Sequence, residues 1–274
     1  MAHDISLALS IAGSETTGGA GIQADLKTFE EYGVHGMVIL TSIVTMNPDS
    51  WAHEVSLIGM DVIQRQLATV LAGKGLGALK TGMLPGVELI RFVRDTVLEH
   101  KLPNVVIDPV LVCKGEEAAI NLESAEALRD LLVPVAAVTT PNLFEAGILS
   151  GLGRLESVDG IKKAARIICD SGAKHVVIKG GGALDGEDAV DVLYDGKNYE
   201  ILKSPKVNSP YNQGAGCSFS AAIAAGLAAG LSVREAAVKA KAYVRAAIEY
   251  GFAFNRHAGS VYHAAGRVRA NKES

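Results

Sequence analysis

The sequence predicts a mainly parallel β-sheet covered by helices on both faces, a three-layer α/β/α fold. Three observations carry that prediction. Short runs rich in β-branched apolar residues alternate with longer segments of helical period along the chain. The short runs are mostly apolar, as strands buried on both faces are. No Pro/Gly/Ser linker, charge block or internal repeat divides the 274 residues, so one domain spanning 1–274 is expected.

In chain order, Ser6–Ala12 reads as the first buried strand, followed by a helix at Ile22–Tyr32 and a strand at Val38–Val44. Helical period returns at Met60–Ala72 and Gly86–His100, then a β-branched run at Val105–Val110. Leu122–Leu132 is expected as a helix, Ala136–Thr140 as a strand, Val158–Ser171 as a helix and His175–Lys179 as a strand. Asp195-Gly196 between Val192–Tyr194 and Tyr199–Leu202 has the turn chemistry of a β-hairpin. Two Ala-rich helices close the pattern, roughly Cys217–Ala229 and Val233–Tyr250.

Composition excludes several classes. With 49% apolar residues and a formal charge of −4, the chain is neither disordered nor basic enough to track a nucleic-acid backbone. The uncharged stretch Ser218–Val233 is too short to span a bilayer, and the apolar run Ile5–Ala12 lacks the basic flank of a signal peptide. Three cysteines, Cys113, Cys169 and Cys217, are too few and too dispersed for a disulfide framework or a zinc site. A soluble cytoplasmic protein is expected, with no nucleic-acid or membrane partner. Thirty glycines, about 11% against an average near 7%, indicate tight turns or close backbone approach to a ligand.

Open α/β sheets bind ligands at the carboxyl ends of their strands, so the residues after each strand matter most. After the first come Gly13, Gly18, Gly19 and Gly21, a loop able to wrap a small molecule or simply to turn tightly. It is neither a Walker loop nor a dinucleotide fingerprint. Gly214-Ala215-Gly216-Cys217 opens a helix, where free N–H groups and the helix dipole favour an anion such as a transferring phosphoryl group. A Cys on that first turn should have a lowered pKa. Thr140-Pro141-Asn142, with Glu145 one turn on, places an amide and a carboxylate at a helix start, as ligands or as a cap. Lys179-Gly180-Gly181-Gly182 would let backbone approach a nucleotide, or merely turn. Asp108 at a strand end suits a metal or a lysine. Cys169 reads as a core thiol, His53 as a surface residue, and Trp51 as a ligand cover or a packing residue.

Taken in order, Ile11-Ala12-Gly13-Ser14 with Gly18-Gly19-Ala20-Gly21-Ile22-Gln23-Ala24-Asp25-Leu26-Lys27 resembles the opening signature of the hydroxymethylpyrimidine kinases, of the ribokinase-like superfamily. Lys80-Thr81-Gly82-Met83-Leu84, Asp108-Pro109-Val110, Thr140-Pro141-Asn142 and Gly214-Ala215-Gly216 continue the resemblance over essentially the whole chain. Most ribokinase-like kinases carry Asp where this chain has Cys217. Thr45–Trp51 and Val112-Cys113-Lys114-Gly115 are further departures, and Glu15 for the usual Asp is a mild one. Together the departures look like the pyridoxal/pyridoxine kinases of the hydroxymethylpyrimidine kinase-like type.

That resemblance implies ATP-dependent phosphorylation of the 5′-hydroxymethyl of pyridoxal, pyridoxine and pyridoxamine, with ATP and Mg²⁺ as cofactors and a homodimeric assembly. Cys217 would be the base and the Gly214–Gly216 backbone the anion hole. Asn142 and Glu145 would serve the phosphate–Mg²⁺ side, with Asp108 a second metal candidate. Lys179, Gly180, Gly181, Gly182, Ala183, Asp191, Gly216 and Lys241 would line the nucleotide site. Gly13, Gly21, Met46, Met83 and Val110 would border the pyridine ring, and Cys113 would add to the pyridoxal aldehyde. Segments 46–53 and 208–213 are the lid candidates. The alternatives are a hydroxymethylpyrimidine/phosphomethylpyrimidine kinase, a non-catalytic vitamer-binding protein and a nicotinamide oxidoreductase.

Overall fold

A computed structural model describes residues 5–73, 75–111 and 122–268. Its sheet has nine strands in the order β3-β2-β1-β4-β5-β6-β7-β8-β9. The parallel part comprises β1 (Leu7–Glu15), β2 (His35–Met46), β4 (Ala78–Thr81), β5 (Val105–Ile107), β6 (Val138–Thr139) and β7 (Val176–Lys179). Antiparallel strands border it: β3 (His53–Leu57) on one side, the hairpin β8 (Asp188–Tyr194) and β9 (Tyr199–Pro205) on the other.

The parallel strands are buried on both faces because alternate side chains feed two separate cores. Leu9, Leu79, Val105, Ile107, Val176 and Ile178 join the core beneath α2 (Met60–Leu71), α3 (Val87–Glu99), α4 (Leu122–Ala127), α5 (Leu143–Ser150) and α6 (Val158–Asp170). Ala8, Ala78, Val106, Val138 and Val177 join the other, beneath α1 (Gly21–Glu31), α7 (Ala215–Ala228) and α8 (Val233–Glu249). The period-two geometry of a strand makes this division, and it explains why the strands read as unbroken apolar runs. The alanines of α7 pack that helix closely on the sheet, with Ala221, Ala222, Ala224 and Ala225 fully buried. A two-stranded ribbon, β10 (Phe252–Ala253) and β11 (Gly259–Ser260), follows α8.

Differences from the sequence reading have local causes. β1 continues to Glu15 through a register shift between Ala12 and Ser14, so part of the glycine loop is strand. β3 escapes the pattern because its residues are mostly exposed on an edge. β4 escapes it because Lys80 interrupts the apolar run, although all four of its residues are buried. The helix expected through Leu132 relaxes into a π-turn at Leu128–Leu132 and a 3₁₀ turn at Val133–Val135, where Pro134 cannot continue an α ladder.

Candidate active site

A cavity of about 1480 Å³ lies across the carboxyl ends of the parallel strands. That is larger than the usual pocket for one small ligand, and leaves room for two molecules side by side. Gly13, Gly21, Met83, Val110 and Cys217 line it, as do Asn142, Glu145, Lys179, Gly181, Gly182, Asp191, Lys241 and Gly214–Gly216. The structure thus gathers most of the expected site into one space. Met46, Gly180 and Ala183 are not in the lining. Met46 stands at the tip of β2 opposite His53, and Val44 and His53 face the cavity instead. Gly180 is packed onto the Val190 carbonyl, and the Ala183 N–H closes a turn onto Gly180 O at 3.2 Å. Cys113 lies outside the described residues.

Between the two sets stands the start of α7. Gly214 is its N-cap at φ +85°, a conformation that favours glycine, and a Cβ there would overlap the Gly19 carbonyl. Ala215 N–H is already bonded to Asn212 O at 3.1 Å and Ser218 N–H to Gly214 O at 2.8 Å. Among the described residues, the first-turn donors left without a partner are therefore the N–H groups of Gly216 and Cys217. The glycine loop opposite is organised by Glu15. Its carboxylate accepts from Thr17 N (3.2 Å), Thr17 Oγ1 (2.6 Å), Gly19 N (3.2 Å) and Ala20 N (3.3 Å). Gly21, at φ +61°, brings its backbone against the Gly13 carbonyl where a side chain would collide.

The Cys217 thiol corrects the sequence expectation. Burial pushes its pKa up to about 11, and the carboxylates of Asp25 and Asp108 act in the same direction. Lys80 and the Gly21 N–H oppose them without prevailing. The position at a helix start is outweighed by loss of water, so the thiol of the free protein is protonated at neutral pH.

Asp108 lines the same cavity. Both its oxygens are engaged: Oδ1 accepts from Lys179 Nζ at 3.1 Å and Oδ2 from Ser220 Oγ at 2.9 Å. In this structure it steadies a lysine, the second of the two partners the sequence suggested for it. Lys179 keeps its charge against burial because Asp108 and Glu145 lie beside it, holding its pKa above the usual value. A Cβ at Gly216 would stand 3.7 Å from Lys179 Nζ, so the ammonium lies directly by the start of α7.

Asn142 and Glu145 form a complete capping box on α5: Asn142 Oδ1 accepts from Glu145 N at 2.9 Å, and Glu145 Oε2 accepts from Asn142 N at 2.8 Å. Cap and cavity lining are thus the same residues. Burial pushes the Glu145 carboxyl up to about 7, Asp108 adds to the rise, and Lys179 and backbone N–H groups restrain it. Asp191 holds Lys241 at 2.7 Å and accepts from Gly181 N at 3.1 Å, which fixes the turn after β7. Among the described residues no group of three acidic, His or Cys side chains could enclose a metal ion. One carboxylate beside phosphate groups and water is the arrangement that Mg²⁺ commonly uses, and Glu145 fits it.

Both lid candidates reach the cavity. Trp51, at φ +60°, lines it and stacks on His257 at 5.7 Å between ring centroids. His53 also lines the cavity, rather than sitting on the open surface, and its buried Nδ1 has no bonding partner among the described residues. Cys169, expected in the core, is only half-buried at its margin, with Sγ donating to Ala173 O at 3.1 Å. The sequence reading missed Glu15 as an organiser and the pair Asp25–Lys80; a lysine inside a buried strand was the available signal for the latter.

Comparison with known proteins agrees with this architecture. The phosphomethylpyrimidine kinase family matches residues 15–262. The pyridoxine kinase of Bacillus subtilis is 52% identical over 97% of this chain and 98% of its own length. A hydroxymethylpyrimidine/phosphomethylpyrimidine kinase of the same organism is 38% identical over 88% of this chain and 89% of its own. Among solved structures, the ADP complex of B. subtilis pyridoxal kinase superimposes with a TM-score of 0.93 at 52% identity, covering 97% of this chain and 100% of that one. Staphylococcus aureus pyridoxal kinase with AMP-PCP and pyridoxal gives 0.89 at 47% identity, over 95% and 94%. With a family match over nearly its whole length and relatives of this identity, the chain belongs to the phosphomethylpyrimidine kinase family.

Proposed function

We propose that this chain is an ATP-dependent kinase that phosphorylates the 5′-hydroxymethyl group of pyridoxal, pyridoxine and pyridoxamine. The observation that carries the reading is the start of α7: two first-turn N–H donors and Cys217 stand between a glycine-walled recess and a Lys-Gly-Gly turn in one cavity. The identity of 52% to a pyridoxine kinase, against 38% to a hydroxymethylpyrimidine/phosphomethylpyrimidine kinase, supports the pyridine substrate over the pyrimidine.

Phosphoryl transfer asks a protein for positioning and charge neutralisation. The N–H groups of Gly216 and Cys217 would hold γ-phosphoryl oxygens, with the Lys179 ammonium beside them. Gly13, Gly21, Met83 and Val110 would border the ring and aim its hydroxymethyl at the phosphorus. As the new O–P bond forms and the bond to the leaving ADP breaks, the hydroxyl proton would pass to Cys217 Sγ, which must first be thiolate. Asn142 and Glu145 would face the phosphates from the far side, and Asp191 and Lys241 the nucleotide. Mg²⁺, held through Glu145, would offset phosphate charge. Cys113 would add reversibly to the pyridoxal aldehyde as a hemithioacetal, tethering that vitamer alone.

The kcat/KM for pyridoxal should exceed that for hydroxymethylpyrimidine by a wide margin; the reverse order would move the chain to the pyrimidine kinases. Absence of ADP release with every vitamer would reduce it to a binding protein. We also propose a homodimer, supported by the exposed Val55 and Leu57 on the edge strand β3, and light scattering giving a monomer would refute it. No helix among the described residues is long and apolar enough to cross a membrane, and a reaction consuming ATP suits the cytoplasm.

A further inference from the structure

Asp25 of α1 and Lys80 of β4 form an ion pair with both side chains fully buried. Lys80 Nζ donates to each carboxylate oxygen at 2.8 Å, and Asp25 Oδ2 also accepts from Ser10 Oγ at 2.6 Å. Three elements, β1, α1 and β4, are thereby joined through one charged cluster. Such a pair is a poor device for stability. Removing two charges from water costs several kcal/mol per ion, and an apolar pair of similar volume often serves as well or better. Its place in the fold suggests another use.

Lys80 ends in the wall of the active-site cavity, together with Gly82, Met83 and Cys217. Gly82 brings no side chain against the ammonium; a Cβ there would stand 3.3 Å from Nζ. The electrical relation between Lys80 and Cys217 is reciprocal. Among the described residues, Lys80 is the group that most favours the Cys217 thiolate. Burial opposes the Lys80 ammonium, but Asp25 first, then Cys217 and Asp108, hold its pKa above the usual value. Among the described residues, the other groups facing Cys217 are Asp25 and Asp108, which oppose ionisation, with Lys179 and the Gly21 N–H, which assist it.

We propose that Lys80 is a positioning residue for proton transfer: its ammonium, clamped by Asp25 and through it by Ser10, is the fixed counter-charge of the Cys217 thiolate. This rests on Cys217 being the base. Asp25 then has a definite part. It keeps Lys80 charged and motionless in a dry site, so the charge needs no reorganisation when the proton moves. A freely rotating lysine would instead pair with the nucleotide's phosphates.

The test reads Cys217 directly. Iodoacetamide alkylation of the Cys217 peptide, followed by mass spectrometry against pH, gives the midpoint of its ionisation. In Lys80→Met the midpoint should rise by about one pH unit, so that alkylation at a fixed pH below it slows about tenfold. Because that variant leaves Asp25 buried alone, Lys80→Met/Asp25→Asn provides a charge-free pair that should fold. Its midpoint should also rise, since the lysine acts on the thiol more strongly than the carboxylate does. Activity should fall in kcat, with the nucleotide KM little changed. A folded double variant whose Cys217 midpoint coincides with the wild type would overturn the proposal. Near-wild-type kcat in Cys217→Ala would instead overturn the base assignment while leaving the alkylation result intact, so the two failures are distinguishable.

Discussion

Glu145 offers a prediction whose size follows from the structure. Its carboxyl is displaced from an ordinary 4.5 to about 7, chiefly by burial. The sign is that of a group holding its proton more tightly when folded. The native state keeps the Glu145 proton between those two values while the unfolded chain has lost it. The stabilising contribution is therefore complete below about pH 4.5 and is lost as pH rises through about 7. The full displacement corresponds to at most about 3 kcal/mol, of which about 2 should disappear between about pH 5.5 and pH 8.5. Glu145→Gln removes the titration and retains a side-chain oxygen for the cap. Urea unfolding across that range should show the wild type losing this stability relative to the variant. Parallel curves for the two proteins, with no difference in slope, would refute the argument that burial raises the Glu145 carboxyl above the ordinary carboxylate range.

Other positions give equally definite expectations. Cys217→Ala should lower kcat by about 10²–10⁴, the range for loss of a general base, and Cys217→Asp should restore much of it; an unaffected kcat in steady-state assays would exclude the base role. Cys113→Ala should slow pyridoxal turnover more than pyridoxine turnover, since only the aldehyde can form a hemithioacetal, and equal losses would remove the adduct. Gly214→Ala should cost at least about 1–2 kcal/mol in left-handed strain and should abolish nucleotide binding by displacing the Gly19 carbonyl; titration calorimetry showing wild-type ADP affinity would contradict that.

How much of this was legible in the sequence follows from where each property resides. The central strands were legible because burial on two faces leaves an unbroken apolar run, as in Val176–Ile178. β3 and β4 were not, since one lies on an exposed edge and the other contains a charge. The site was legible to the extent that ligands gather after parallel strands, which placed Gly13, Asp108, Asn142 and Lys179 in one crevice. Properties set by distant partners were illegible. The first-turn position of Cys217 predicted a lowered pKa, but burial by other elements, together with Asp25 and Asp108, raises it. Asp108 looked equally suited to metal or lysine until Lys179, 71 residues away in sequence, was found on it. Met46 points to the same limit, because only the pairing of β2 with β3 shows that Val44 and His53 face the cavity.

The charges around the cavity bear on how it can accept a polyanion when, among the described residues, its lysines form no open cluster of cations. Lys80 is bound to Asp25, Lys179 to Asp108 and Lys241 to Asp191, while Lys206 donates to the Leu184 carbonyl at 2.6 Å. Each ammonium is thus held in place by an acceptor of the protein itself. Pairing weakens the long-range pull on the nucleotide but fixes where the charge stands, and catalysis profits from charge that need not move as the transition state forms. On the proposed reading, recognition of the phosphates would fall to backbone donors at the α7 start, whose direction is set by the helix and by the glycine loop ordered around Glu15. On the same reading, the buried carboxylates Asp25, Asp108 and Asp191 would serve mainly to orient the lysines, and Glu145, displaced to about 7, would be the acid that meets an arriving cation.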